Sequence, residues 1–105
     1  MEFPFTISNG YGEHITFLGF EENDMGSNVL ALQNEVAPGD GPPMHVHFKQ
    51  DEKLTVIEGK LAYQMPGGEI NYCNEGESVT FNAGTPHKFW NAGDKVMRCK
   101  GWISP

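Results

Sequence analysis

The sequence is poor in basic residues and in long apolar runs, and each shortage excludes a class of function. Seven lysines and arginines stand against fourteen aspartates and glutamates, which gives a formal net charge of −7. The basic residues are scattered, so no patch is present that would neutralise nucleic-acid phosphates or anionic lipid headgroups. No apolar run approaches the roughly 18 residues that a membrane-spanning helix needs. We therefore expect neither a nucleic-acid partner nor a membrane partner.

Cysteine is also scarce. The two cysteines, Cys73 and Cys99, form neither a CxxC pair nor a disulfide framework. We interpret them as isolated small apolar residues in strands. The N-terminus shows no basic segment followed by an apolar one, as a secretory leader would have. Both features predict a reducing, cytoplasmic location.

Residues that form turns are abundant, with 13 glycines and seven prolines among 105 residues. Because these residues cost roughly 1 and 3 kcal/mol in helix interiors, a helix bundle is excluded. Patterned apolar residues, with 11% aromatics, argue against disorder. Ten short strands are predicted, at residues 5–8, 14–20, 28–37, 44–48, 54–58, 60–65, 69–74, 78–82, 87–91 and 95–102. Strands of this length and spacing are typical of a β-sandwich or barrel, so residues 1–105 are predicted to form one all-β domain.

Two of the four histidines, His45 and His47, stand one residue apart. On a strand, residues i and i+2 project from the same face, so both imidazoles would share one side. Glu52 follows closely and can return to the same pocket at the start of the next strand, whereas its neighbour Asp51 is expected to point away. Two imidazoles and a carboxylate are a nucleus for a divalent metal site. His14 has no partner at ligand spacing and is predicted to be a strand or edge residue.

The spacing around these histidines resembles the two signatures of the cupin superfamily. Residues 39–59 match the first signature at every specified position, which are Gly39, His45, His47, Glu52 and Gly59. Residues 76–91 match the second signature at Gly76, Gly84, His87 and Asn91. The one departure is Asn82, where the family has proline; it affects the rigidity of one turn and removes no ligand. The chain is thus identified as resembling a small single-domain cupin of the conserved-barrel (cupin 2) type.

The resemblance implies an antiparallel jelly-roll β-barrel whose metal ligands are His45, His47, Glu52 and His87. Three imidazoles and one carboxylate suit divalent Fe, Mn, Ni, Zn, Co or Cu rather than Mg or Ca, and the choice among them stays open. Such a site leaves coordination positions for water, substrate or dioxygen. In the family the glutamate also acts as a general base, so Glu52 is the candidate catalytic residue. Phe89 shares the face of His87 and Asn91 and is the aromatic residue most readily placed near the metal.

The favoured function is that of a metal-dependent enzyme on a small-molecule substrate, above all a dioxygenase. Isomerase, decarboxylase or lyase chemistry would use the same site. The alternative is a non-catalytic cupin that binds or senses a small ligand. A purely structural role is least favoured, because converging polar groups without a metal would be poorly satisfied.

Oligomeric state is a further expectation. Small cupins commonly pair, which buries open sheet edges, so a homodimer is expected. Apolar material for this contact is supplied by four phenylalanines near the N-terminus: Phe3, Phe5, Phe17 and Phe20. The sequence leaves open the substrate, the metal and whether a C-terminal segment is missing.

Overall fold

The structure, a computed structural model, describes residues 2–47 and 49–104. Its regular elements are nine strands: β1 (Phe5–Ser8), β2 (Glu13–Glu22), β3 (Asn28–Val36), β4 (Glu52–Glu58), β5 (Leu61–Gln64), β6 (Asn71–Cys73), β7 (Ser78–Phe81), β8 (Lys88–Asn91) and β9 (Met97–Ile103). The prediction of an all-β chain is confirmed. Over these residues, no helix is long and apolar enough to cross a membrane.

The strands form two antiparallel sheets that share one core. The larger sheet has the order β1-β2-β3-β9-β4-β7, and the smaller has the order β6-β5-β8. Along β4, Glu52, Leu54 and Val56 are buried while the residues between them are less so, which is the period of two that a strand imposes. Leu54 from the larger sheet joins Leu61 and Phe89 from the smaller one in the same apolar cluster. The expected antiparallel jelly-roll fold is confirmed, although hydrogen bonds do not close the described strands into a continuous barrel.

The prediction of a strand at residues 44–48 is wrong over residues 44–47, and Phe48 lies outside the described residues. This segment forms a single β-bridge, between His45 and His87. Pro42 and Pro43 directly precede it, and proline has no N–H to donate to a ladder. The segment therefore reaches the sheet through one bridge and does not continue as a strand.

A bulge in β2 changes which of its side chains lie over the core. The register of β2 against β3 shifts between Phe17 and Gly19. Before the bulge, Phe17 packs against the apolar cluster. Beyond the bulge, Phe20 lies opposite Leu30. An extra residue in one strand reverses the alternation, so Phe20 takes the face that Phe17 had occupied.

A buried carboxyl group lies in the core at the end remote from His45. Glu13 accepts hydrogen bonds from the side-chain amides of Asn9 and Asn34, each at 2.7 Å. Burial raises the pKa of Glu13; the hydrogen bond from Asn34 opposes this shift and the charge of Glu52 adds to it. The sequence gives no sign of this pair, because Glu13 and Asn34 are 21 residues apart and meet only across two strands.

We predict that the stability of Glu13→Gln relative to wild type increases as the pH rises above about 4.5, whichever of the two is more stable at low pH. Because the folded pKa is raised, native Glu13 holds a proton that the unfolded chain has released, so wild-type stability falls as the pH rises through that interval. A neutral glutamine removes this loss. Urea unfolding at pH ~5 and pH ~8 measures the difference in free energy of unfolding between variant and wild type.

Glu21→Gln is the matched control, because Glu21 is an exposed carboxylate on the same strand. We expect it to change stability by no more than about 0.5 kcal/mol at either pH. An equal effect of Glu13→Gln at both pH values would show that the titration of Glu13 is not coupled to folding.

Candidate metal centre

The four predicted ligands come together in space. His45, His47, Glu52 and His87 each offer one ligand atom, and these atoms lie within 4.8 Å of one another. Glu52 is the first residue of β4, and His87 immediately precedes β8. Glu52 and His87 are buried, whereas His45 and His47 are partly exposed, with 29% of the His47 side chain accessible. The cluster therefore opens to solvent on the side of the first two histidines.

Backbone hydrogen bonds hold the two histidine segments against each other. The N–H of His45 donates to the carbonyl of His87, and the N–H of His87 donates to that of His45, both at 2.8 Å. The N–H of Gly84 donates to the carbonyl of His47 at 2.7 Å. Gly84 has φ = 81°, a left-handed conformation that glycine adopts without a Cβ penalty. These contacts place His45, His47 and His87 around one point although His45 and His87 are 42 positions apart in the sequence.

The ring orientations of two histidines are fixed by carbonyl oxygens. Nδ1 of His45 lies 2.8 Å from the carbonyl oxygen of Pro43, and Nδ1 of His87 lies 3.0 Å from that of Thr85. A carbonyl oxygen only accepts, so Nδ1 is the protonated nitrogen in both rings. In the neutral imidazole this leaves Nε2 with a free lone pair, the state that a metal ligand requires.

Two buried polar atoms in the cluster lack a hydrogen-bond partner among the described residues: Oε1 of Glu52 and Nε2 of His87. They lie 3.4 Å apart, and Oε1 is 4.0 Å from Nε2 of His47. Buried polar atoms are almost always partnered, because an unmade hydrogen bond costs about 1–3 kcal/mol. A cation bound by three nitrogens and one oxygen would satisfy both atoms, so the residues present fit a divalent transition metal.

The electrostatics of His47 favour the uncharged ring. Burial lowers the pKa of His47, the charge of Glu52 opposes this, and neighbouring His45 and His87 lower the pKa further. A lowered pKa keeps the lone pair of the ring available near neutral pH.

Phe81 is the aromatic residue packed directly on the cluster. Its ring lies parallel to that of His87, with 3.9 Å between centroids and 1° between planes. Phe89 is also buried, and the centroid of its ring lies 6.4 Å from that of the Phe81 ring. Phe81, which the sequence does not single out, thus contacts a clustered histidine directly, and the placement of Phe89 near the metal stays a prediction. Phe81 reaches this place because it pairs with Glu52 across β7 and β4, a register that sequence spacing does not specify.

The other candidates lie outside the cluster. Asp51 accepts a hydrogen bond from the N–H of Ala83 at 2.7 Å, so its carboxylate supports a turn, as the sequence predicts it would point away. His14 lies exposed on β2, with Nδ1 2.6 Å from the hydroxyl oxygen of Ser8. The interpretation of His14 as a strand histidine is confirmed.

Comparison with known proteins gives matches in sequence and in structure. A curated relative, the "Probable oxidoreductase virH" of Hypocrea virens, is 31% identical over 67 residues, which are 62% of this chain and 31% of that protein. The chain thus spans about a third of the length of this relative. An uncharacterised Klebsiella pneumoniae protein with a double-stranded beta-helix domain has a TM-score of 0.74 at 20% identity, covering 94% of this chain and 81% of that one.

A predicted oxalate decarboxylase from Thermotoga maritima is also similar, with a TM-score of 0.72 at 19% identity over 96% of this chain and 90% of that one. At such identities, the two structural matches concern the fold alone. The sequence model of the family described as Cupin domain matches residues 33–103. That match covers more than half of the chain and includes all four clustered residues, so the chain belongs to the cupin family.

Proposed function

We propose that this chain is a metal-dependent enzyme of the dioxygenase type that acts on a small molecule. In this proposal His45, His47, Glu52 and His87 are the metal ligands. The observation that carries it is the pair of buried, unpartnered atoms, Glu52 Oε1 and His87 Nε2, which face each other at the centre of the cluster. The relative named as a probable oxidoreductase supports redox chemistry over other uses of the fold.

The residues in and around the cluster have separate roles in this proposal. A divalent Fe, Mn, Ni, Zn, Co or Cu ion would supply Lewis acidity and, if redox-active, electron transfer. Two of the three imidazoles keep a fixed ring orientation because their Nδ1 atoms are hydrogen-bonded to carbonyl oxygens. Glu52 supplies the carboxylate of the cluster, and we propose that it takes a proton from the substrate as a general base. Phe81 covers one face of His87 and excludes water there.

We also propose that the chain works as a homodimer. β1 is an edge strand of the larger sheet, so its outer backbone groups have no strand partner among the described residues. Ile7 on this strand is 42% exposed. Phe5 stacks on Phe17, and Phe17 packs against the core, so these two are not free for a contact. Pairing of two β1 edges would satisfy the backbone groups and cover Ile7.

Residues 1–105 are proposed to act as one domain in a reducing cytoplasm. Cys73 and Cys99 are buried free thiols, and burial raises the pKa of Cys99 to about 12. Thiols of this kind are unreactive and suit a reducing compartment.

The first prediction from the proposed function concerns metal uptake. Protein dialysed against Mn, Fe, Co, Ni or Zn is expected to retain about one ion per chain, and the bound ion is expected to stabilise the fold. A free metal concentration of about 1,000 times Kd would add about 4 kcal/mol to the free energy of unfolding. Elemental analysis and thermal unfolding measure the two effects.

His47→Ala should abolish this uptake, and His14→Ala is the matched control because it removes an imidazole outside the cluster. His47 is partly exposed, so its replacement leaves the core intact. Full metal content in His47→Ala, or equal loss in both variants, would show that this cluster is not the metal site.

The second prediction concerns Glu52. Oxygen consumption by metal-loaded protein with flavonols, enediols and diketones is expected to be lowered about 10²–10⁴-fold by Glu52→Gln at equal metal content, the usual contribution of a general base. Glu58→Gln, at the exposed end of the same strand, is the control and should keep wild-type activity. Undiminished activity of Glu52→Gln would contradict its role as the base. Tight binding of a compound that is recovered unchanged with every metal would favour the non-catalytic alternative.

The third prediction concerns the dimer. Size-exclusion chromatography with light scattering is expected to give twice the 11.7 kDa mass of one chain. Ile7→Lys should shift the population toward monomer because it places a charge on the β1 edge, while Ile70→Lys, which is similarly exposed elsewhere, should not. A monomer at all concentrations of the wild-type protein would refute pairing.

A further inference from the structure

An apolar row leads away from the cluster along the larger sheet. Glu52 lies opposite Ile103 on β9, Ile103 lies opposite Leu30 on β3, and Leu30 lies opposite Phe20 on β2. Directly opposed residues of antiparallel strands share one face, so the three apolar residues continue the face that carries the carboxylate. At about 4.8 Å per strand, the row extends about 14 Å from Glu52 to Phe20.

This row is open to solvent. Ile103 packs against the core on one side, and it and Leu30 are partly exposed. Phe20, which the bulge in β2 turns onto this face, is 61% exposed, with the ring of Phe3 edge-on against it at 6.0 Å between centroids. Tyr63, on the smaller sheet, is also only partly buried, and its ring lies 5.8 Å from that of Phe81. The opposite end of the core is closed, because Val36 and Met97 are fully buried there. Apolar side chains thus surround the open end of the core, where His45 and His47 are reached.

Lys53 and Lys88, the basic residues that directly adjoin the buried ligands Glu52 and His87, are not aimed at this end. Lys53 lies between the buried residues Glu52 and Leu54, so it projects from the outer face of its strand. Lys88 lies between His87 and Phe89 and projects outward in the same way, with its ammonium group 5.4 Å from the ring of Trp90. The remaining basic residues are exposed: Lys49, Lys60, Lys95, Arg98 and Lys100.

Charge therefore disfavours an anionic group along the row, away from the proposed metal ion. A carboxylate that enters an apolar row pays for desolvation without an ion pair to offset it. The net charge of −7 adds a repulsive field around the whole chain. Burial of a neutral apolar group on Ile103, Leu30 and Phe20, in contrast, is favourable in proportion to its area.

We infer that the ligand of this site is a molecule with a compact oxygen-bearing head, suited to a metal, and an uncharged apolar body. The head faces His45, His47, Glu52 and His87, and the apolar body lies along Ile103, Leu30 and Phe20. This inference rests on the proposed metal site, and it goes further because it assigns an apolar body to the substrate and excludes an anionic group at the far end of that body.

Three hydroxamates with one chelating head and different tails test the inference on cobalt-loaded protein. The probes are acetohydroxamate, octanohydroxamate and the suberic acid monohydroxamate, whose tail has the length of the second probe but ends in a carboxylate. Calorimetric titration and the visible spectrum of the bound cobalt report binding without turnover. We expect octanohydroxamate to bind at least about tenfold more tightly than each of the other two.

Two variants, each with one added positive charge, test where the tail of the probe binds. Phe20→Lys is expected to weaken octanohydroxamate and to bring the carboxylated probe to at least equal affinity, because the new ammonium group stands at the end of the row. Val96→Lys adds the same charge before β9, at the closed end of the core, and should leave all three affinities unchanged. Both positions are exposed, so neither substitution disturbs the core.

The outcomes separate this inference from the proposed function. Protein that takes up cobalt but binds the carboxylated probe as tightly as octanohydroxamate overturns the ligand class and leaves the metal site standing. Equal responses of Phe20→Lys and Val96→Lys likewise overturn the placement of the tail. Failure to take up cobalt at all overturns the proposed function, and the ligand class falls with it.

Discussion

The reciprocal pair of backbone hydrogen bonds between His45 and His87 is the contact on which the site depends. Each residue donates its N–H to the carbonyl of the other at 2.8 Å. The segment that carries His45 and His47 has no ladder of its own, so this bridge and the bond from Gly84 to His47 fix its position. Without them, nothing would fix the irregular segment that carries His45 and His47 next to Glu52 and His87.

The core is polar at both ends and apolar between them, and the two polar ends are satisfied differently. At the closed end, Glu13 is held by two amide donors and its raised pKa reflects burial. At the open end, Glu52 Oε1 and His87 Nε2 find no donor or acceptor in the described chain. At Glu13 the amide donors favour the ionised form and burial opposes it, and Oδ1 of Asn34 beside it has no partner among the described residues. A carboxylate facing imidazole lone pairs, in contrast, needs a cation.

Much of the strand pattern was predictable, because alternation and turn residues act locally. The predicted strands at 5–8 and 54–58 lie within β1 and β4, and the predicted strand at 78–82 contains β7. The failure at residues 44–47 also has a local origin, since Pro42 and Pro43 deny the segment a ladder. The spacing of residues in the sequence does not specify the register between paired strands. The contact of Phe81 with His87, the pairing of Glu13 with Asn34 and the row from Ile103 to Phe20 all depend on which residue lies opposite which across two or more strands.

The sequence by itself determined the fold class and the set of chemical groups in the site. The glycine and proline content excludes helices, and the spacing of His45, His47, Glu52 and His87 identifies the four clustered residues through the family signatures. Only the tertiary structure decided that their ligand atoms converge within 4.8 Å, which atoms are left without partners and which apolar residues surround the opening. The physical reason is that chain-local preferences set each strand, whereas burial and pairing between distant strands set what each side chain faces.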